Sequence, residues 1–223
     1  MPFKGKKDKS QDKRIKQLES FVYKTIENKQ VNYKNLALNV TSTPVADNSF
    51  LQVRTGSQDG AAVGDNARIG NTITLLKQQY RINLVGLNPN MLGSDRWNQF
   101  RLIIAESLDG NQPLVASDVL ENSNYITDSD LVFTSGYTTR TGTNRRYKVH
   151  YDKRFELNAT AGGATRSIKH DVKWKGGKLV EFSGPDPSQV PTNHNMSIIF
   201  ISDSGVAPHP KAYYSVRSTY KDA

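Results

Sequence analysis

From Val31 to the C-terminus the apolar residues of this chain recur at every second position, and that period constrains the fold more than any other feature of the sequence. A period of two puts alternate side chains on opposite faces of an extended strand, whereas a helix requires 3.6. In Tyr147-Lys-Val-His-Tyr-Asp-Lys-Arg-Phe-Glu-Leu, the residues Tyr147, Val149, Tyr151, Phe155 and Leu157 share one parity, and Lys148, His150, Asp152, Arg154 and Glu156 the other. Such a segment reads as a half-buried strand. Ile168, His170, Val172 and Trp174 alternate in the same way, and Gly176-Gly177 separates them from Lys178-Leu-Val-Glu-Phe. That pair reads as a hairpin closed by a glycine turn. The apolar set of residues 73–84 starts on odd numbers and finishes on even ones (Leu76, Tyr80, Ile82, Leu84), so a β-bulge is expected near Leu75–Leu76.

Leu36, Leu38 and Val40 alternate in a further strand, Phe100-Arg-Leu-Ile-Ile-Ala is short and buried, and Ala212 to Tyr220 forms the last. Met196-Ser-Ile-Ile-Phe-Ile is nearly continuously apolar, as a central strand covered on both faces would be. About eight strands follow, without βαβ alternation, internal repeat or dividing linker. The expected fold is therefore all-β: an eight-stranded two-sheet sandwich, a jelly roll in preference to an immunoglobulin topology. The longest interruption, 108–145, leaves room for a short helix at Leu114–Leu120.

One segment departs from the period of two. Ile15, Leu18, Val22 and Ile26 are spaced three, four and four apart and share one face of a helix. A helix of about 15 residues is marginal alone in water, so this face needs a partner, either its own domain or other copies of itself. Ahead of it runs a basic arm. Residues 1–16 hold Lys4, Lys6, Lys7, Lys9, Lys13, Arg14 and Lys16 against Asp8 and Asp12, a charge of +5. The remaining 207 residues hold 23 cations and 19 anions, or +4 of the total +9. So dense a block repels itself until a polyanion neutralises it, and nucleic acid does so with release of condensed counterions. A solubilising tail and a nuclear-import signal remain open beside that reading. The chain divides on these grounds into 1–29, arm and helix, and 30–223, the sandwich.

Signs of catalysis are sparse. With no cysteine, disulfides, thiolate chemistry and zinc ribbons drop out. The histidines, His150, His170, His194 and His209, have no metal-ligand spacing, and on strands His150 and His170 read as sheet-surface residues. Ser202-Asp-Ser-Gly reads as a reverse turn and lacks the Gly-x-Ser-x-Gly elbow. No apolar run reaches the roughly 18–20 residues of a membrane span, and the first residues lack the apolar stretch of a signal peptide. A soluble, intracellular, non-enzymatic protein without a cofactor is the expectation.

Several segments carry a resemblance. Gly64-Asp-Asn-Ala-Arg-Ile-Gly-Asn-Thr-Ile resembles the Gly-x-x-x-Arg-[Ile/Val]-Gly-x-x-Ile segment in capsid proteins of small circular single-stranded DNA viruses, the CRESS-DNA group. Arg146-Tyr-Lys-Val-His-Tyr-Asp-Lys-Arg-Phe-Glu-Leu is similar to that group's Tyr-x-Val-x-x-Asp-Lys-x-Phe-x-Leu strand, and Met196 to Gly205 and Tyr213 to Asp222 follow in order. The arm, the short helix and the closing Tyr-x-Asp-Ala also resemble the coat protein of satellite tobacco necrosis virus. The resemblance covers about residues 12–223. It implies a single jelly roll, a virion shell of sixty copies (T=1) and an arm facing a single-stranded genome inside. It also implies that Ile15, Leu18, Val22 and Ile26 let three copies meet near a threefold axis. Aromatics that could stack on bases in this region are Phe3, Phe21 and Tyr23, the last two open also to the reading that they extend the packing surface of the helix. Structural calcium at subunit contacts is implied in turn, with Asp222 as the candidate ligand beside the plainer reading of a frayed terminus. The arm departs from the circular-DNA pattern in being short, lysine-based and interrupted by Asp8 and Asp12. A carbohydrate- or receptor-binding jelly roll and a cupin-like enzyme are the other readings.

Overall fold

The computed structural model describes residues 10–18, 28–48, 50–53, 67–68, 70–86, 97–108, 113–138, 146–158, 165–183 and 191–222. Residues 10–18 form a helix, α1. Eight strands follow: β1 (Lys29–Asn39), β2 (Val45–Asp47), β3 (Thr72–Val85), β4 (Trp97–Ser107), β5 (Tyr147–Asn158), β6 (Thr165–Glu181), β7 (Asn195–Ser202) and β8 (Lys211–Asp222). Between β4 and β5 lie three single-turn helices, α2 (Ala116–Val119), α3 (Tyr125–Asp128) and α4 (Leu131–Thr134).

The strands make two antiparallel four-stranded sheets in the orders β1-β8-β3-β6 and β2-β7-β4-β5. Four nested pairs, first with eighth, second with seventh, third with sixth and fourth with fifth, are all hydrogen-bonded neighbours. A single long hairpin rolled on itself gives this order, and the fold is a jelly-roll sandwich. Its inner core joins Tyr80, Ile82 and Leu84 of β3 and Val216 of β8 to Phe100, Leu102 and Ile104 of β4 and Ile198 and Phe200 of β7, all buried. Each such aliphatic or aromatic side chain contributes about 1.5–3 kcal/mol by leaving water.

A second cluster lies on the other face of the β2-β7-β4-β5 sheet. Ile103, Ala105, Ile199 and Ile201 pack there under Leu114, Val119, Leu120, Val132 and Phe133 of the β4–β5 connection. This cover makes β7 buried at every position, as its nearly continuous apolar run requires. Arg101, 4% exposed, fastens the cover from below. Its guanidinium donates to the carbonyls of Val132 (2.8 Å) and Ser135 (3.0 Å) and grips Asp152 with both arms, at 3.0 and 2.7 Å.

The bulge at Leu76 is present, since pairing of β3 with both neighbours slips between Leu75 and Lys77. Three expectations are corrected. Gly176-Gly177 closes no hairpin, because β6 is continuous and pairs with β3 on both sides of the glycines, Lys173 with Lys77 and Lys178 with Leu75. Both glycines take positive φ, 85° and 84°, and bulge the strand out without reversing it. Strand β5 has no single apolar face: it slips at His150, so Tyr147 and Val149 pack under the helical cover while Tyr151, Phe155 and Leu157 join the inner core. Finally, β1 slips between Asn35 and Leu38, which leaves Leu36 77% exposed while Leu38 packs inward.

Candidate nucleic-acid interface

Helix α1 carries the described part of the basic arm. Lys13, Arg14 and Lys16 are exposed on it, as are Ile15 (52%) and Leu18 (63%), which the i, i+3 spacing puts on one face. Lys4, Lys6, Lys7 and Lys9 lie outside the described residues, as do Val22, Ile26, Phe3, Phe21 and Tyr23.

A second concentration of charge escaped the reading of the sequence. Strand registers align outward-facing residues of the β1-β8-β3-β6 sheet into three lateral rows. They read Gln30-Thr219-Lys77-Lys173, Asn32-Arg217-Gln79-Asp171 and Lys34-Ser215-Arg81-Lys169. Strands sit about 4.8 Å apart and same-face residues about 7 Å along a strand, so the patch is about 14 Å on a side. Within it Asp171 faces six cations. Lys77 and Arg81 each reach its carboxylate at 3.0 Å. Those two hydrogen bonds hold Asp171 down at about 2, so it stays ionised. The signal was present as parity: Lys77 and Arg81, Lys169 and Lys173, and Arg217 all fall on the polar parity of their strands. Only the registers bring them together.

Between the sheets, where β5 and β6 meet, lies a cluster of titratable groups. Glu106 of β4 accepts hydrogen bonds from His150 Nε2 (2.8 Å) and Lys178 Nζ, and His194 Nδ1 lies 3.9 Å from it. Burial pushes the Glu106 carboxyl up, but the hydrogen bonds of His150 and Lys178 outweigh it and hold it at about 2. His194 is 2% exposed and stacks edge-on against Trp174 at 5.4 Å. Burial, helped by the Lys178 charge, pushes it down to about 3, and neither ring nitrogen has a hydrogen-bond partner. His150 and His170 are thus not sheet-surface residues: both face inward, His170 against Tyr151 at 5.0 Å. The bulge at His150 turns the one, and the inward parity of β6 the other. Beyond β7, Ser204 Oγ lies 3.1 Å from His209 Nδ1, but Ser204 is fully buried and out of a substrate's reach.

Asp222 ends β8 in register with Ile73. Its Oδ2 accepts a hydrogen bond from Lys29 Nζ, and its buried Oδ1 has no partner. Calcium takes six to eight oxygen ligands, and here an ammonium group already compensates a lone carboxylate. Among the described residues no group of three His, Cys, Asp or Glu side chains is placed to hold a metal ion. One chain thus gathers, among its described residues, no set of carboxylates around Asp222 that would make a calcium cage. No described helix is long and apolar enough to cross a membrane.

No protein-family model matches the chain, and no curated protein matches it. Among solved structures, it is similar to one titled "Desmodium yellow mottle tymovirus", with a TM-score of 0.31 and 9% identity over 89% of this chain and 82% of that one. A likeness at that score decides neither fold nor function.

Proposed function

We propose that this chain is a viral coat protein, a structural subunit that assembles into a small icosahedral shell and packages a single-stranded genome. The observation that carries the reading is the joining of a jelly-roll sandwich to a leader that holds +5 in its first 16 residues. A sugar-binding or receptor-binding jelly roll has no need of such a leader, and a cupin-like enzyme needs histidines that converge on a metal. The sequence motifs point further, to sixty copies and a circular DNA genome, with a satellite RNA virus as the second choice. In this proposal 1–29 faces the particle interior, with Lys4, Lys6, Lys7, Lys9, Lys13, Arg14 and Lys16 against phosphates, and 30–223 builds the shell. The exposed Ile15 and Leu18 supply the described part of the face on which α1 meets its copies, and the helical spacing of the sequence adds Val22 and Ile26 to it. Any calcium at Asp222 would have to draw its remaining oxygens from another subunit.

Lysines suit this work. Each is a point charge on a flexible stem that follows a phosphate backbone without reading bases. Expression of the full chain, imaging by electron microscopy and nuclease treatment of the purified product test the proposal. Closed shells containing nuclease-protected nucleic acid are expected, and DNase or RNase sensitivity of the extracted genome separates the two virus classes. A stable monomer that forms no shells at any salt or pH would overturn it.

A further inference from the structure

We infer that the outward face of the β1-β8-β3-β6 sheet is a second binding surface for the phosphate backbone of single-stranded nucleic acid, separate from the arm. The inference rests on the proposed function and goes beyond its placement of the contacts in residues 4–16. Two cross-strand pairs on this face are like-charged: Lys77 lies directly opposite Lys173, and Arg81 directly opposite Lys169. Opposed like charges destabilise a sheet, and a surface selected only for folding would alternate the signs. Asp171 relieves part of the repulsion by bridging Lys77 and Arg81. The remaining excess is offset only when a polyanion covers the face.

The rows contain no apolar side chain, which disfavours the core of a protein–protein interface, where charge is depleted. Between the cations stand neutral hydrogen-bonding groups, Asn32, Gln79, Ser215 and Thr219, of the kind that contact phosphate and sugar without sequence preference. Tyr213, on the outward parity of β8 and 37% exposed, flanks the three rows opposite Asn83. An exposed ring beside a phosphate track can stack on an unpaired base, which a duplex does not offer.

The test is binding of the full chain to a short oligothymidine, followed by fluorescence anisotropy between about 50 and 200 mM salt. Each phosphate contact on a single strand adds about 0.7 to the slope of log affinity against log salt. The combined variant Lys34→Gln, Lys169→Gln, Lys173→Gln and Arg217→Gln, which spares both partners of Asp171, is expected to lose about 3 from that slope. Asp171→Asn removes the one anion, so binding should tighten and its salt dependence steepen. Misfolding would not give shifts of opposite sign. Tyr213→Ala should weaken binding about tenfold with little change in slope. If wild type binds the oligonucleotide and neither charge variant alters the slope, the sheet face is excluded and the arm stands. If wild type does not bind at all, the coat-protein reading itself fails. Should the four-residue variant lose binding to phosphatidylserine vesicles while keeping the oligonucleotide slope, the face serves a membrane and the inference is overturned.

Discussion

Among the described histidines, His194 is the one whose protonation folding opposes most. Its ring lies among Glu106 of β4, Lys178 and Trp174 of β6 and His150 of β5, with both nitrogens buried and unpaired. An unfolded histidine takes up a proton near 6.5, and the folded one only at about 3. Between those values the unfolded chain binds a proton that the folded chain refuses, so stability is full above about pH 6.5 and falls as pH drops toward 3. Glu106 acts lower down. Its depressed value makes its share present above about pH 4.5 and lost on the way to 2, a term on the order of 3 kcal/mol. His194→Leu should therefore melt at the same or a higher temperature at pH 7, because an unsatisfied polar ring gives way to an apolar side chain. Its melting temperature should also decline less between about pH 6.5 and 4.5, a window that His194 shares with His170, which burial likewise pushes down. Calorimetry of both proteins across that range checks this; an undiminished decline in the variant would assign the acid sensitivity elsewhere.

At the scale of the element, β6 owes its length to two glycines. Gly177 takes φ 84°, and a Cβ there would lie 2.3 Å from Thr74 Cγ2, whereas a Cβ on Gly176 would meet nothing within 4 Å. Gly176→Ala should thus cost about 1–2 kcal/mol from backbone strain alone, and Gly177→Ala distinctly more, because the Thr74 side chain must also shift. Urea denaturation ranks the two, and equal costs would show that the bulge yields freely. The same glycines show what was legible in the sequence and why the rest was not. A pair of glycines between two alternating runs serves a reversal and a bulge equally well, and only pairing with a distant strand decides between them. Reading β6 as two strands compensated for β2, whose three residues are too short to display a period, so the count of eight came out right with one strand wrongly divided. At Leu76 the phase change was readable because both flanking runs were long. In β5 it was hidden: the slip at His150 transfers the odd-numbered set from one buried face to another, and apolar residues suit both.

For the whole molecule, charge and fold are separable. Among the described residues the three hydrophobic clusters draw on 31–220, and the described residues 10–16 contribute nothing to them. Removing residues 1–16 does take +5 of the net +9, which on the proposed sixty-copy shell would lower the formal charge from about +540 to about +240. The arm was legible because a run of like charge is visible in one dimension. The basic sheet was not, because its six cations come from four strands and are neighbours only in the register. A chain lacking residues 1–16 should keep the melting temperature of the intact protein within about 1–2 °C, since surface deletions away from packed contacts scarcely alter stability. Nucleic acid retained per particle, read from the ratio of absorbance at 260 and 280 nm, should fall by roughly half at fixed salt and not to zero, because the sheet keeps its own charge. Complete loss would assign all binding to the arm. Full retention would assign it to the sheet and leave the arm without its proposed role.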